Sequence, residues 1–159
     1  MKSMSKFFVL LFCLWSSVSL SQGFPRGCTP KDHVFSNYNL VVNETGGQRL
    51  FLIYNHSTAL IELERQQTPD AFMSPSLSVQ LGAGFWSAFA SDITGLVFEC
   101  HVKEGDNIRR VDCHDALSVC EYPHVKFALS NMGNYWISAN KPQREILEDA
   151  AAKGIYLKW

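Results

Sequence analysis

Leu96-Val97-Phe98-Glu99-Cys100-His101-Val102-Lys103-Glu104-Gly105-Asp106-Asn107-Ile108-Arg109-Arg110-Val111-Asp112-Cys113 reads as two β-strands joined by a tight turn. From Leu96 to Val102 it is dense in β-forming residues, with Phe98, Cys100 and Val102 alternating against Glu99 and His101, as in a strand with one buried face. Glu104-Gly105-Asp106-Asn107 is turn chemistry, and Ile108 to Cys113 returns as a second strand. With Asp106 and Asn107 as the two central turn residues, a favoured hairpin length, Cys100 falls directly opposite Cys113. Phe98, Cys100, Val102, Val111 and Cys113 then share one face, while Glu99, His101, Asp112 and His114 share the other. Apolar and polar sets separate cleanly, which supports that register.

The same register orders the cysteines. Five are present, and Cys13 lies in a leader-like N-terminus. The remaining four, Cys28, Cys100, Cys113 and Cys120, allow three connectivities. Opposed strand residues hold their Cβ atoms about 4.5–5.5 Å apart against about 3.5–4.5 Å in a disulfide, so twist has to close a Cys100–Cys113 bridge. Cys28 is then left for Cys120, which would tie a Gly- and Pro-rich N-terminal segment to the core.

Upstream, Lys2 and Lys6 precede the apolar run Phe7 to Trp15, and small polar residues follow as far as Ser21. That order is a secretion signal's, so residues 1–21 are expected to be removed before Gln22, leaving 22–159 as a single disulfide-stabilised domain. Serines interrupt the apolar run after about nine residues, short of the roughly 20 needed to cross a bilayer. Loss of Lys2 and Lys6 leaves 12 basic against 15 acidic side chains, a net charge of −3 with neutral histidines. A mildly acidic domain has no electrostatic footprint for nucleic acid. An exported chain, in the periplasm or outside the cell, with no transmembrane segment in its mature part, is the expectation.

The flanking sequence supplies further short strands. Asn39 to Val42 precedes a turn at residues 43–47; Arg49 to Tyr54 and Thr58 to Glu64 read as one hairpin about Asn55-His56-Ser57; and residues 68–75, with two prolines, read as loop. Leu77 to Leu81 and Phe85 to Ala90 read as another hairpin about Gly82-Ala83-Gly84. His124 to Leu129 and Tyr135 to Ser138 flank a third turn. The period then changes: Asn140 as a cap, Pro142 in the first turn, a stripe of Ile146, Leu147, Ala150 and Ala151, and Gly154 as a stop predict one short helix. Ile155 to Trp159 alternates as a final strand. The expected fold is mainly β, a small antiparallel sandwich, immunoglobulin-like in style, with one short C-terminal helix and a last strand.

Chemistry is sparse. Glu99, His101, Asp112 and His114 on one sheet face form the candidate metal set, for copper or zinc, with cross-strand acid–base pairs as the simpler reading. Cys120, His124 and Met132 match a blue-copper ligand set poorly, because a thiolate at Cys120 would leave three cysteines. Gly-x-Ser-x-Gly, His-Glu-x-x-His and Cys-x-x-Cys are all absent. No catalytic residues and no cofactor are assigned, and the chain is read as not an enzyme. Asn43-Glu44-Thr45 and Asn55-His56-Ser57 are glycosylation sequons. Trp86, Tyr135, Trp136 and Trp159 are the candidates for an interaction surface, since Trp and Tyr dominate binding hot spots, with a place in the core as the simpler reading for any one of them.

Asn55-His56-Ser57, Ala71-Phe72-Met73-Ser74-Pro75, Trp86-Ser87-Ala88, Val119-Cys120-Glu121-Tyr122-Pro123-His124-Val125-Lys126-Phe127, Gly133-Asn134-Tyr135-Trp136 and Lys153-Gly154-Ile155-Tyr156-Leu157-Lys158-Trp159 resemble the enhanced-entry protein EnhB family of intracellular bacterial pathogens. The likeness covers roughly residues 48–159 and rests on structural-looking segments. It implies an exported envelope protein linked to entry into host cells, an accessory to a larger helical-repeat periplasmic partner, with no catalytic residues to carry over. The function expected is therefore a non-enzymatic binding or assembly domain of the envelope, engaged in protein–protein interaction. A metal-binding or catalytic secreted domain using the His101 and His114 face is the alternative.

Overall fold

Leu50-Phe51-Leu52-Ile53 and Trp86 to Ser91 carry no apolar–polar alternation, and all ten residues are buried. Such runs belong to strands covered on both faces, and they form the centre of the molecule. The computed structural model describes residues 23–66, 78–129, 133 and 135–158. The expected leader, the loop at 68–75, Met132 and Trp159 lie outside the described residues.

In chain order the strands are β1 (Thr29–Pro30), β2 (Phe35–Ser36), β3 (Asn39–Val42), β4 (Arg49–Asn55), β5 (Ile61–Arg65), β6 (Val79–Leu81) and β7 (Trp86–Ser91). They continue as β8 (Leu96–Glu104), β9 (Asn107–Val111), β10 (Leu117–Tyr122), β11 (Val125–Phe127), β12 (Tyr135–Lys141) and β13 (Ile155–Leu157), with helices α1 (Cys113–Ala116) and α2 (Gln143–Ala152). One antiparallel sheet has the order β1-β10-β4-β7-β12. The second has β2-β3-β8-β5-β6, with β9 also paired to the long β8. The fold is mainly β and sandwich-like. β11 and β13 make a small separate pair.

Two cores follow from the alternation of the first sheet. Phe51, Ile53, Phe89 and Val119 face the second sheet, where they meet Leu40, Ile61, Leu63, Phe98 and Cys100. Leu50, Leu52, Trp86, Ala88 and Cys120 face the other way, onto Ile146 and Ala150 of α2 and onto Val125, Phe127 and Ile155. The predicted helix and final strand thus form a third layer. Gly154, at φ 79°, ends α2 where a Cβ would stand 2.7 Å from that of Ala128. Asn140 is not the cap. Pro142 occupies the N-cap position before Gln143, and Asn140 lies in β12, its Oδ1 accepting from the Gly82 N–H at 2.7 Å.

Both disulfides form as paired from the sequence, Cys28–Cys120 and Cys100–Cys113. Three expected pairings are corrected. β4 and β5 are no hairpin: β4 pairs with β10 and β7, β5 with β6 and β8, so the chain crosses between sheets at residues 56–60. β6 and β7 part in the same way. In the β8–β9 hairpin the central residues are Gly105 and Asp106, with Glu104 opposite Asn107 and Cys100 opposite Val111. Gly105 takes φ 62°, the left-handed conformation that the first position of a type II′ turn requires and that glycine adopts without steric cost. The two-residue shift preserves faces, but it turns Cys113 from a strand residue into the first residue of α1.

Candidate functional site

A groove of about 590 Å³ lies where β9, α1 and residues 57–59 converge. Ala59, Ile61, Val102, Val111 and Ala116 give it apolar surface, and Tyr38, Arg109, Arg110, Asp112 and Asp115 give it polar and charged edges. Its volume lies within the range of natural ligand sites, roughly 300–1,000 Å³.

Each wall is fixed by local chemistry. Asp112 caps α1, its Oδ1 accepting from the His114 N–H at 3.0 Å. Asn55, fully buried, accepts from the Ser57 N–H at 3.0 Å and from its hydroxyl at 2.7 Å, and donates to the carbonyls of Ala59 and Leu81 at 2.8 Å each. The His56 N–H donates to the Ala116 carbonyl at 3.0 Å, joining the two walls. Tyr38 stands at the rim, 66% exposed, in the β2–β3 turn where Asn37 and Tyr38 both have positive φ, 50° and 69°. A bulky residue rarely holds that conformation. Here the Tyr38 carbonyl accepts from the Cys113 N–H at 3.0 Å, so the turn is fastened to α1 and the Cys100–Cys113 bridge.

The four residues of the expected metal set are not brought together on one face. Glu99 and His101 remain on the outer face of the second sheet, where His101 lies 3.7 Å from both Glu64 and Glu99. Its cross-strand neighbours are Glu62 and Arg110, and not Asp112. His114 turns with α1 so that its ring packs edge-on to Phe35, 5.1 Å between centroids. Among the described residues no group of three or more His, Cys, Asp or Glu is placed to hold a metal ion. Cys120 is in a disulfide, which removes the copper-type set.

Trp86 is wholly buried, packed on Tyr54 and Phe24, so it offers no surface. Trp136 is half-buried against Phe89 and Phe98. Tyr135 is half-buried too, and burial raises its phenol above the ordinary range. Tyr38 and Arg109, which line the groove, were not anticipated from the sequence. Arg109 carried a signal: it falls on the inner face, in the row Ile61–Val102–Arg109, where the alternation calls for an apolar residue. In both sequons the asparagine is buried and its Nδ2 is already donating, from Asn43 to Gly47, Ser91 and Ile93.

No family model matches the sequence, and neither a curated protein nor a solved structure matches it. No helix among the described residues is long and apolar enough to cross a membrane. The two disulfides fit an oxidising environment.

Proposed function

We propose that this chain is an exported, non-enzymatic binding or assembly domain of the bacterial envelope, and that the groove beside β9 is its binding surface. The observation that carries the reading is the groove itself: an apolar floor edged by charges and by an exposed tyrosine held in a strained turn. Rigid walls favour binding, because a surface already ordered loses little entropy when a partner arrives. The leader-like N-terminus and the paired cysteines support export, and the EnhB-like segments extend the reading to entry into host cells beside a helical-repeat partner.

The test is retention of an envelope protein by the immobilised mature domain, compared with Ala59→Trp, which fills the groove, and with Lys126→Glu, which changes exposed charge on β11. Retention lost only in Ala59→Trp, at an unchanged melting temperature, is the expected result. Equal retention by all three proteins overturns the assignment of the groove.

A further inference from the structure

We propose that the groove takes its partner as an added β-strand: an extended peptide pairs with the free edge of β9, with an acidic side chain opposite Arg109 and an apolar one, two residues along, opposite Val111. This rests on the groove being the binding surface and names the kind of partner it accepts.

The backbone sets the geometry. Glu104 and Asn107 flank the two-residue turn at Gly105 and Asp106, so they form a hydrogen-bonded pair. Hydrogen-bonded and non-hydrogen-bonded pairs alternate along an antiparallel ladder. Val102 with Arg109 and Cys100 with Val111 are therefore the next bonded pairs, and the N–H and C=O groups of Ile108 and Arg110 point away from β8. Among the described residues β9 pairs with no other strand. Arg109, Arg110, Val111 and Asp112 line the groove consecutively, so β9 is the outermost strand bordering it. Five residues of β9 span about 17 Å, enough for a short extended segment.

Charge chooses the peptide. Arg109 is 65% exposed, and its ion pair with Glu104 is long, 3.8 Å, and equally open to water. Such a pair contributes little, which leaves the guanidinium available for a carboxylate on an added strand. The next position on that face meets Val111 and Ala116, where an apolar side chain fits. Arginines on an edge strand also deter unwanted pairing. A merely guarded edge, however, borders no cavity, and here β9 bounds a groove whose other sides are α1 and residues 57–59.

The probe is the blocked peptide Thr-Thr-Asp-Thr-Val-Thr-Thr at millimolar concentration, followed by amide hydrogen exchange of the mature domain. Ile108 and Arg110 amides should slow by about tenfold or more at saturation, while those of Arg109 and Val111, already bonded to β8, change little. A copy with Lys for Asp should bind up to about fivefold more weakly, and Arg109→Glu should reverse that preference. Peptide binding that moves Ile61, Val102 and Ala116 but leaves Ile108 and Arg110 exchange unchanged overturns strand addition while the groove assignment stands. No binding by either peptide overturns it, and slowing that rises with protein concentration alone assigns the edge to a second copy of this chain instead.

Discussion

Removing the long disulfide, as Cys28→Ala with Cys120→Ala, should cost more than removing the short one, and the difference can be worked from loop length. Cys28 and Cys120 are 92 residues apart, which in the chain-entropy relation gives about 4.6 kcal/mol. Cys100 and Cys113 are 13 apart, giving about 2.9 kcal/mol by the same relation. Both pairs are buried, so the small cavities left by alanine nearly cancel in the comparison, and about 1.7 kcal/mol remains as the effect of loop length. For a domain of this size the long-loop variant should melt about 15–20 °C lower and the short-loop variant about 10 °C lower. The assay is denaturant unfolding of residues 22–159 and of both double variants, with melts as a second probe. A greater loss from Cys100 and Cys113, or a loss below about 1 kcal/mol from Cys28 and Cys120, would show that loop length does not set the difference.

Other outcomes follow from single contacts. Gly154→Ala forces a side chain into left-handed backbone and against Ala128, and should lower unfolding free energy by about 2 kcal/mol. Hydrogen bonds from Lys141 and Ser138 hold the Asp149 carboxyl below its ordinary value, so its contribution to docking α2 is complete above the usual carboxylate range and is lost as pH falls through the lowered value. Asp149→Asn should flatten that acid limb, as read by amide exchange in α2 between neutral pH and acid. Asn55→Ala strands the buried Leu81 carbonyl and frees residues 57–59, and should cost about 2–3 kcal/mol in denaturant unfolding and loosen the groove wall.

Strand positions were legible because they depend on local alternation, and the cysteine pairing came out as expected although Cys100 stands opposite Val111 and Cys113 reaches it from the start of α1. Sheet membership was less so. Asn55-His56-Ser57 and Gly82-Ala83-Gly84 carry the same turn chemistry whether the chain reverses within a sheet or crosses to another. The informative contrast lay in the strands: Leu50 to Ile53 and Trp86 to Ser91 are continuous buried runs, whereas Ile61-Glu62-Leu63-Glu64 alternates. Strands buried on two faces and strands buried on one belong to different sheets here. The hairpin register turned on one glycine, since Gly105 supplies the positive φ that Asp106 and Asn107 would both have needed. In the observed register Asp112 and His114 lie beyond the end of β9, which is why the four residues do not gather on one sheet face and the groove was not anticipated.

The most direct test of the groove as the binding surface is photo-crosslinking in living cells, with a benzophenone amino acid placed at Tyr38 or at Tyr156. Both positions are exposed, 66% and 52%, but Tyr38 lines the groove and Tyr156 lies on β13 in the third layer. If the groove is the binding surface, one envelope protein is captured from position 38 and not from 156. Equal capture from both, or capture from 156 alone, would contradict it.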